Sequence, residues 1–132
     1  MNEHDIILIQ ELTESYRLQL MWYTELRELV RKILGRLVLS RGDMTELLSG
    51  LEKKQKILKS IEDERKKSYE SVQKWQLIKL QIEPNAATNF FDEMLEKTGF
   101  AIKEFLDEEE KLKKYLEGFI KKDILCKEKT IS

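Results

Sequence analysis

Between Asp43 and Gln81 the chain contains no proline, and Leu47, Leu51, Leu58, Ile61, Val72 and Trp75 fall on one row spaced by threes and fours. That spacing winds the apolar side chains onto a single stripe of a helix about 55 Å long. A rod cannot bury its stripe against itself. This stretch is therefore read as the axis of the molecule, with the sequences on either side as its cover. Asp43 is placed to accept a backbone N–H at the helix start, and Glu46 three residues on would complete a capping box. The predicted fold class is all-α: three long antiparallel helices forming an elongated helical bundle or coiled coil. They cover about residues 5–39, 44–81 and 86–123 of a single helical domain, 1–132.

The flanking stretches carry matching patterns. Leu12, Tyr16, Tyr23, Leu26, Val30, Ile33 and Leu37 form one row, interrupted only by Gln19. Trp22 and Leu29 begin a second row, so the first helix is expected to touch two neighbours. Gly35 within it costs about 1 kcal/mol relative to alanine, which the apolar face outweighs. The turn Ser40-Arg41-Gly42-Asp43 is short enough to fold the first two helices into an antiparallel hairpin. Its Arg-Gly-Asp reads as a glycine closing a turn and an aspartate capping a helix rather than as an adhesion signal. Pro84 stops the central helix, because the residue before a proline is pushed out of the helical region, and Asn85 offers an oxygen to start the third. There Phe91, Leu95, Thr98, Ile102, Phe105, Leu112, Leu116 and Phe119 continue the row, broken by Glu109 within an acid run at Asp107–Glu110.

Charge excludes several classes of function. The chain has 24 Lys+Arg against 25 Asp+Glu, a nearly neutral balance without the positive excess that nucleic acid requires. The basic pairs Lys53-Lys54, Lys66-Lys67 and Lys113-Lys114 all have acids close by and read as solvated helix faces. The apolar run Ile6–Ile9 is too short to cross a membrane, and the start is acidic, so no membrane insertion is expected and a cytoplasmic protein is the simple inference. Cys126 is the only cysteine, His4 the only histidine, and no Cys/His cluster has metal-ligand spacing. No phosphate loop or nucleophile motif is present, and the acids Glu62, Asp63 and Glu64 diverge around a helix. Neither catalysis, metal nor cofactor is expected.

The informative part lies past the acid run, which is expected to split the third helix in two. The distal piece has its own apolar row, Leu112, Tyr115, Leu116, Phe119 and Ile120, ahead of a polar tail from Cys126 expected to be disordered. Either this row docks on the far ends of the other helices, or residues 107–132 are a mobile arm awaiting a partner. Burying five such side chains is worth about 10 kcal/mol gross. Association costs then leave an affinity near micromolar, which suits a carrier that must release its load.

Three stretches together resemble the FlgN family of bacterial flagellar export chaperones, over about residues 10–110. They are DMTELLSGLEKKQKILKSIEDER with Lys54, Gln55 and Arg65, EPNAATN with Asn85 and Asn89, and EKTGFAIKEFL. The resemblance implies a cytosolic chaperone of long antiparallel helices, without catalysis or nucleotide. Such a protein would hold the C-terminal segments of hook-filament junction (hook-associated) proteins and keep them competent for the flagellar type III export apparatus. It further implies that Leu112, Leu116, Phe119 and Ile120 grip the client and that Tyr115 faces the export gate. The brief polar tail departs from the family. The alternative is a non-catalytic coiled-coil structural or adaptor protein acting as a homo-oligomer.

Overall fold

The computed structural model describes the backbone of residues 1–131 and the side chains of residues 1–121. It is an all-α bundle of three helices: α1 (Glu3–Leu39), α2 (Leu47–Ile78) and α3 (Ala86–Ile131). A short 3-10 turn, Lys79–Gln81, follows α2. Consecutive helices run antiparallel, so α1 and α3 run parallel. Along that pair Arg27 meets Glu104, Arg31 meets Glu108 and Tyr115 meets Leu37.

The axis of the molecule is α1, not the central stretch that the sequence suggested. Ten residues of α1 are buried, against three in α2. Among the described residues no Cα of α2 lies within 8 Å of one in α3, whereas α1 packs on both. The reason lies in the width of the stripes. On α1 the buried positions Leu12, Gln19, Tyr23, Leu26, Val30, Ile33 and Leu37 are flanked by half-buried Tyr16, Trp22 and Leu29. That breadth serves two neighbours, and Gly35 leaves the helix unbroken. On α2 the apolar row is narrow, and Leu47, Leu51, Leu58, Val72 and Trp75 are only half-buried.

The starts and stops follow local chemistry. Asn2 caps α1 by accepting from the Asp5 N–H at 2.8 Å. Asn85 accepts from the Thr88 N–H at 3.0 Å while Thr88 Oγ1 accepts from the Asn85 N–H at 2.8 Å, a reciprocal box at the head of α3. The expected capping box on α2 does not form. Asp43 accepts from both the N–H and the hydroxyl of Thr45, which hold its carboxyl below its ordinary range, and α2 begins only at Leu47. Glu46 reaches back to Arg36 at 2.7 Å instead.

The connection out of α1 ends it with a Schellman motif: the Gly42 N–H bonds the Leu37 carbonyl at 2.9 Å and the Arg41 N–H bonds that of Val38 at 3.3 Å. Arg41 and Gly42 both have positive φ, 58° and 93°, so the glycine closes the turn as expected. The aspartate's role differs, since it caps the turn and not the helix.

Nor does the acid run divide α3, which is one helix of 46 residues. Its buried row is Phe91, Met94, Thr98, Ala101, Phe105, Glu108 and Leu112, whereas Leu95, Ile102 and Glu109 turn half-buried toward α2. Glu109 therefore interrupts no seam. It pairs with Lys54 of α2, while Glu108 is the acid buried against α1. The helix also continues through Cys126 to Ile131, where a disordered tail was expected. After Pro84 the sequence offers no further proline to stop it, and Lys127, Glu128 and Lys129 are good helix formers. Ser132 lies outside the described residues.

Candidate functional site

The distal row of α3 is docked as far as Phe119. Leu112 is buried in the same cluster as Leu26, Val30, Ile33 and Leu37 of α1, with Tyr115 and Leu116 packed against it. The Tyr115 hydroxyl donates to the Leu37 carbonyl at 3.2 Å, adding a cap from another helix to the end of α1. Phe119 lies across Gly42: a Cβ built there would stand 2.7 Å from the ring's Cζ. The ring thus fills the place that a side chain at this Schellman position would otherwise take.

Of the five residues singled out from the sequence, only Ile120 is open to solvent, at 54% exposure. Four are brought together on the end of α1 and its turn. The free-arm alternative consequently has no purchase before residue 120. Beyond it α3 overhangs, since α1 has already ended at Leu39. The stretch Ile120–Ile131 extends the helix by about 18 Å. Its sequence includes Ile124 and Leu125, whose side chains lie outside the described residues.

Ion pairs hold the base of this overhang. Glu108 accepts from Arg31 Nε at 3.0 Å and lies 3.3 Å from Lys111 Nζ. Burial pushes the Glu108 carboxyl up, but these two cations more than reverse that and hold it below its ordinary value. Arg27 pairs with Glu104 one turn earlier. The acids that read as a break in the row are the clamps of α3 onto both other helices.

A second feature went unnoticed in the sequence. Where α2 and α3 stand apart, a cavity of about 250 Å³ opens, lined by Tyr16, Gln19, Arg65, Ser68, Tyr69, Val72 and Ile102. Arg65 donates through Nη2 to the Tyr23 hydroxyl at 2.7 Å and through Nε to buried Gln19 at 3.4 Å, with its guanidinium 5.7 Å from the Tyr23 ring centroid. The one polar residue in the apolar row of α1 was the available signal: a buried amide needs partners, and its oxygen accepts from Arg65 while its Nε2 donates to Ser15 Oγ at 3.3 Å. A wider groove of about 600 Å³ runs between α1 and α3, past Leu20, Ala101 and the exposed Phe100. Its Arg27 and Glu104 already pair with each other.

Among the described residues no helix is long and apolar enough to cross a membrane, and no group of three or more His, Cys, Asp or Glu is placed to hold a metal ion. His4 is exposed on the first turn of α1. The chain matches no protein-family model, no curated protein sequence and no solved structure.

Proposed function

We propose that this chain is a non-catalytic, cytoplasmic export chaperone of the FlgN kind. Its clients would be the C-terminal segments of flagellar hook-filament junction proteins, kept unfolded for the type III export apparatus. The observation that carries the reading is the overhang of α3, a helix that outruns its partner and presents Ile120 to solvent. An amphipathic helix projecting from a clamped base can offer an apolar edge to an extended or helical client segment. The three-helix architecture and the resemblance in sequence support the same reading. On this geometry Leu112, Leu116 and Phe119 anchor the arm, and the grip proper begins at Ile120. Tyr115 bonds Leu37 in the docked state, so contact with an export gate requires that bond to open.

Mixing the chain with junction proteins from the same cell tests the proposal. A complex is expected by size-exclusion chromatography, and Ile120→Asp should weaken it by about 10–100-fold, the loss of one buried apolar side chain. Junction proteins that fail to bind, or a complex indifferent to Ile120, would remove the reading. The open groove beside Phe100 favours a second one, a homo-oligomeric coiled-coil structural or adaptor protein. Light scattering decides it: a dimer or larger that Phe100→Asp returns to monomer supports the adaptor.

A further inference from the structure

We propose that the cleft between α2 and α3 at Arg65 is a binding site for a small apolar monocarboxylate, an aryl or branched-chain acid. The inference is independent of the chaperone reading. Arg65 is the only charged residue lining the cavity, and no carboxylate lies within ion-pair distance of it among the described residues. Glu62, one turn earlier on the same helix, is engaged elsewhere, with Lys66 at 3.0 Å. A guanidinium presents a planar fork of donors suited to the two oxygens of a carboxylate. Here Nε and Nη2 hold Gln19 and Tyr23, while Nη1 makes no hydrogen bond within the described chain. Arg65 is itself exposed, so the guanidinium is held through two of its nitrogens while the third stays open to an anion.

The walls select what carries that anion. Tyr16, Val72 and Ile102 are half-buried and apolar, and Tyr69 at 62% exposure forms the outer lip. Ile102 has Leu106 one turn further along α3, 53% exposed, which extends the apolar surface outward. A space of about 250 Å³ accepts one side-chain-sized body and is below the roughly 300–1,000 Å³ typical of drug-sized ligands. The groove between α1 and α3 lacks this combination, since Glu93, Glu96 and Glu104 line it against Arg27 and Lys97, and Arg27 is already paired with Glu104. Charge complementarity thus separates the two openings.

The test titrates phenylacetate and 4-methylpentanoate into the full chain at neutral pH, each beside its primary amide, with two-dimensional NMR as the readout. Saturable shifts are expected at the Arg65 Nε–H and at the Val72 and Ile102 methyls. The amides should bind about tenfold more weakly or worse, because charge-assisted hydrogen bonds are about twice as strong as neutral ones. Arg65→Lys keeps the charge but loses the fork, and Tyr69→Ala removes the exposed lip without touching the buried core; both should weaken binding while circular dichroism stays unchanged. Shifts that never saturate, amides that bind as well as acids, or a Tyr69→Ala protein that binds undiminished would each overturn the site and leave a merely hydrated guanidinium.

Discussion

Along α3, α1 meets a partner 77 residues away at its ion pairs and is joined to it by Arg27–Glu104, Arg31–Glu108 and the Tyr115–Leu37 bond. Along α2, its neighbour in sequence, it has the close approach of Gly50 to Ile33 and the Arg65 network, over a row that is mostly half-covered. The distant pairing is the better sealed. Chain order therefore does not rank the seams; the width of each apolar stripe does. A broad stripe on α1 recruits two helices, and the rows that α2 and α3 turn toward each other touch only in places, at Trp75–Phe91 and Lys54–Glu109. The cleft at Arg65 is what remains where those two rows fail to meet.

The largest expected effect comes from the residue at which all three helices meet. Phe91 lies 5.8 Å from the Tyr16 ring and 5.5 Å from that of Trp75, edge-on to each, and is almost wholly buried. Phe91→Ala should cost about 3–5 kcal/mol in urea denaturation. Half-buried Leu58→Ala on α2 should cost under about 2 kcal/mol, below the range for fully buried leucines. Equal losses would erase the contrast between the seams.

Gly42→Ala comes next, at about 1–3 kcal/mol, because φ of 93° disfavours a side chain and Phe119 occupies its space. Pairing it with Phe119→Ala should recover part of the loss; a fully additive pair would mean that the ring does not seat there.

Glu108→Gln sharpens the electrostatic half of the comparison. The folded carboxyl is held below its ordinary value of 4.5, so its contribution is present above that pH and fades as pH falls through the depressed folded value. The variant should lose about 1–2 kcal/mol at neutral pH, in the range of a hydrogen bond to a charged group with one half-exposed partner. The gap should then close in strong acid. A pH-independent loss would assign Glu108 a packing role only.

Smallest is Gly35→Ala, which has nothing within 4 Å of a new Cβ and should stabilise the protein by up to about 1 kcal/mol. Gly50→Ala carries the same propensity gain, but its Cβ would stand 2.7 Å from Ile33, and the net change should be a loss.

The three helices, the hairpin turn, the stop at Pro84 and the cap at Asn85 were legible because each rests on a local rule. Which helix would be central was not, since α2 has as regular a row as α1 and only the width of the stripe separates them. The acid run misled for a related reason. Glu109 was judged against a single seam, whereas α3 faces α1 through Met94, Ala101 and Glu108 and faces α2 through Leu95, Ile102 and Glu109. One-dimensional spacing cannot say that a charge will find Lys54. The distal row was visible as apolar, but its docking depended on the turn at Gly42 being vacant enough to receive Phe119. The Arg65 cleft was signalled only by Gln19.

The Leu37 carbonyl has a further consequence. It receives the N–H of Gly42 and the hydroxyl of Tyr115, so the final knot on the first helix is tied by a residue synthesised 78 positions later. A nascent chain can close the early hairpin while still on the ribosome, yet must wait for Tyr115 to emerge before that knot is complete. Any nick or premature stop before Tyr115 would leave a helical hairpin with an untied end.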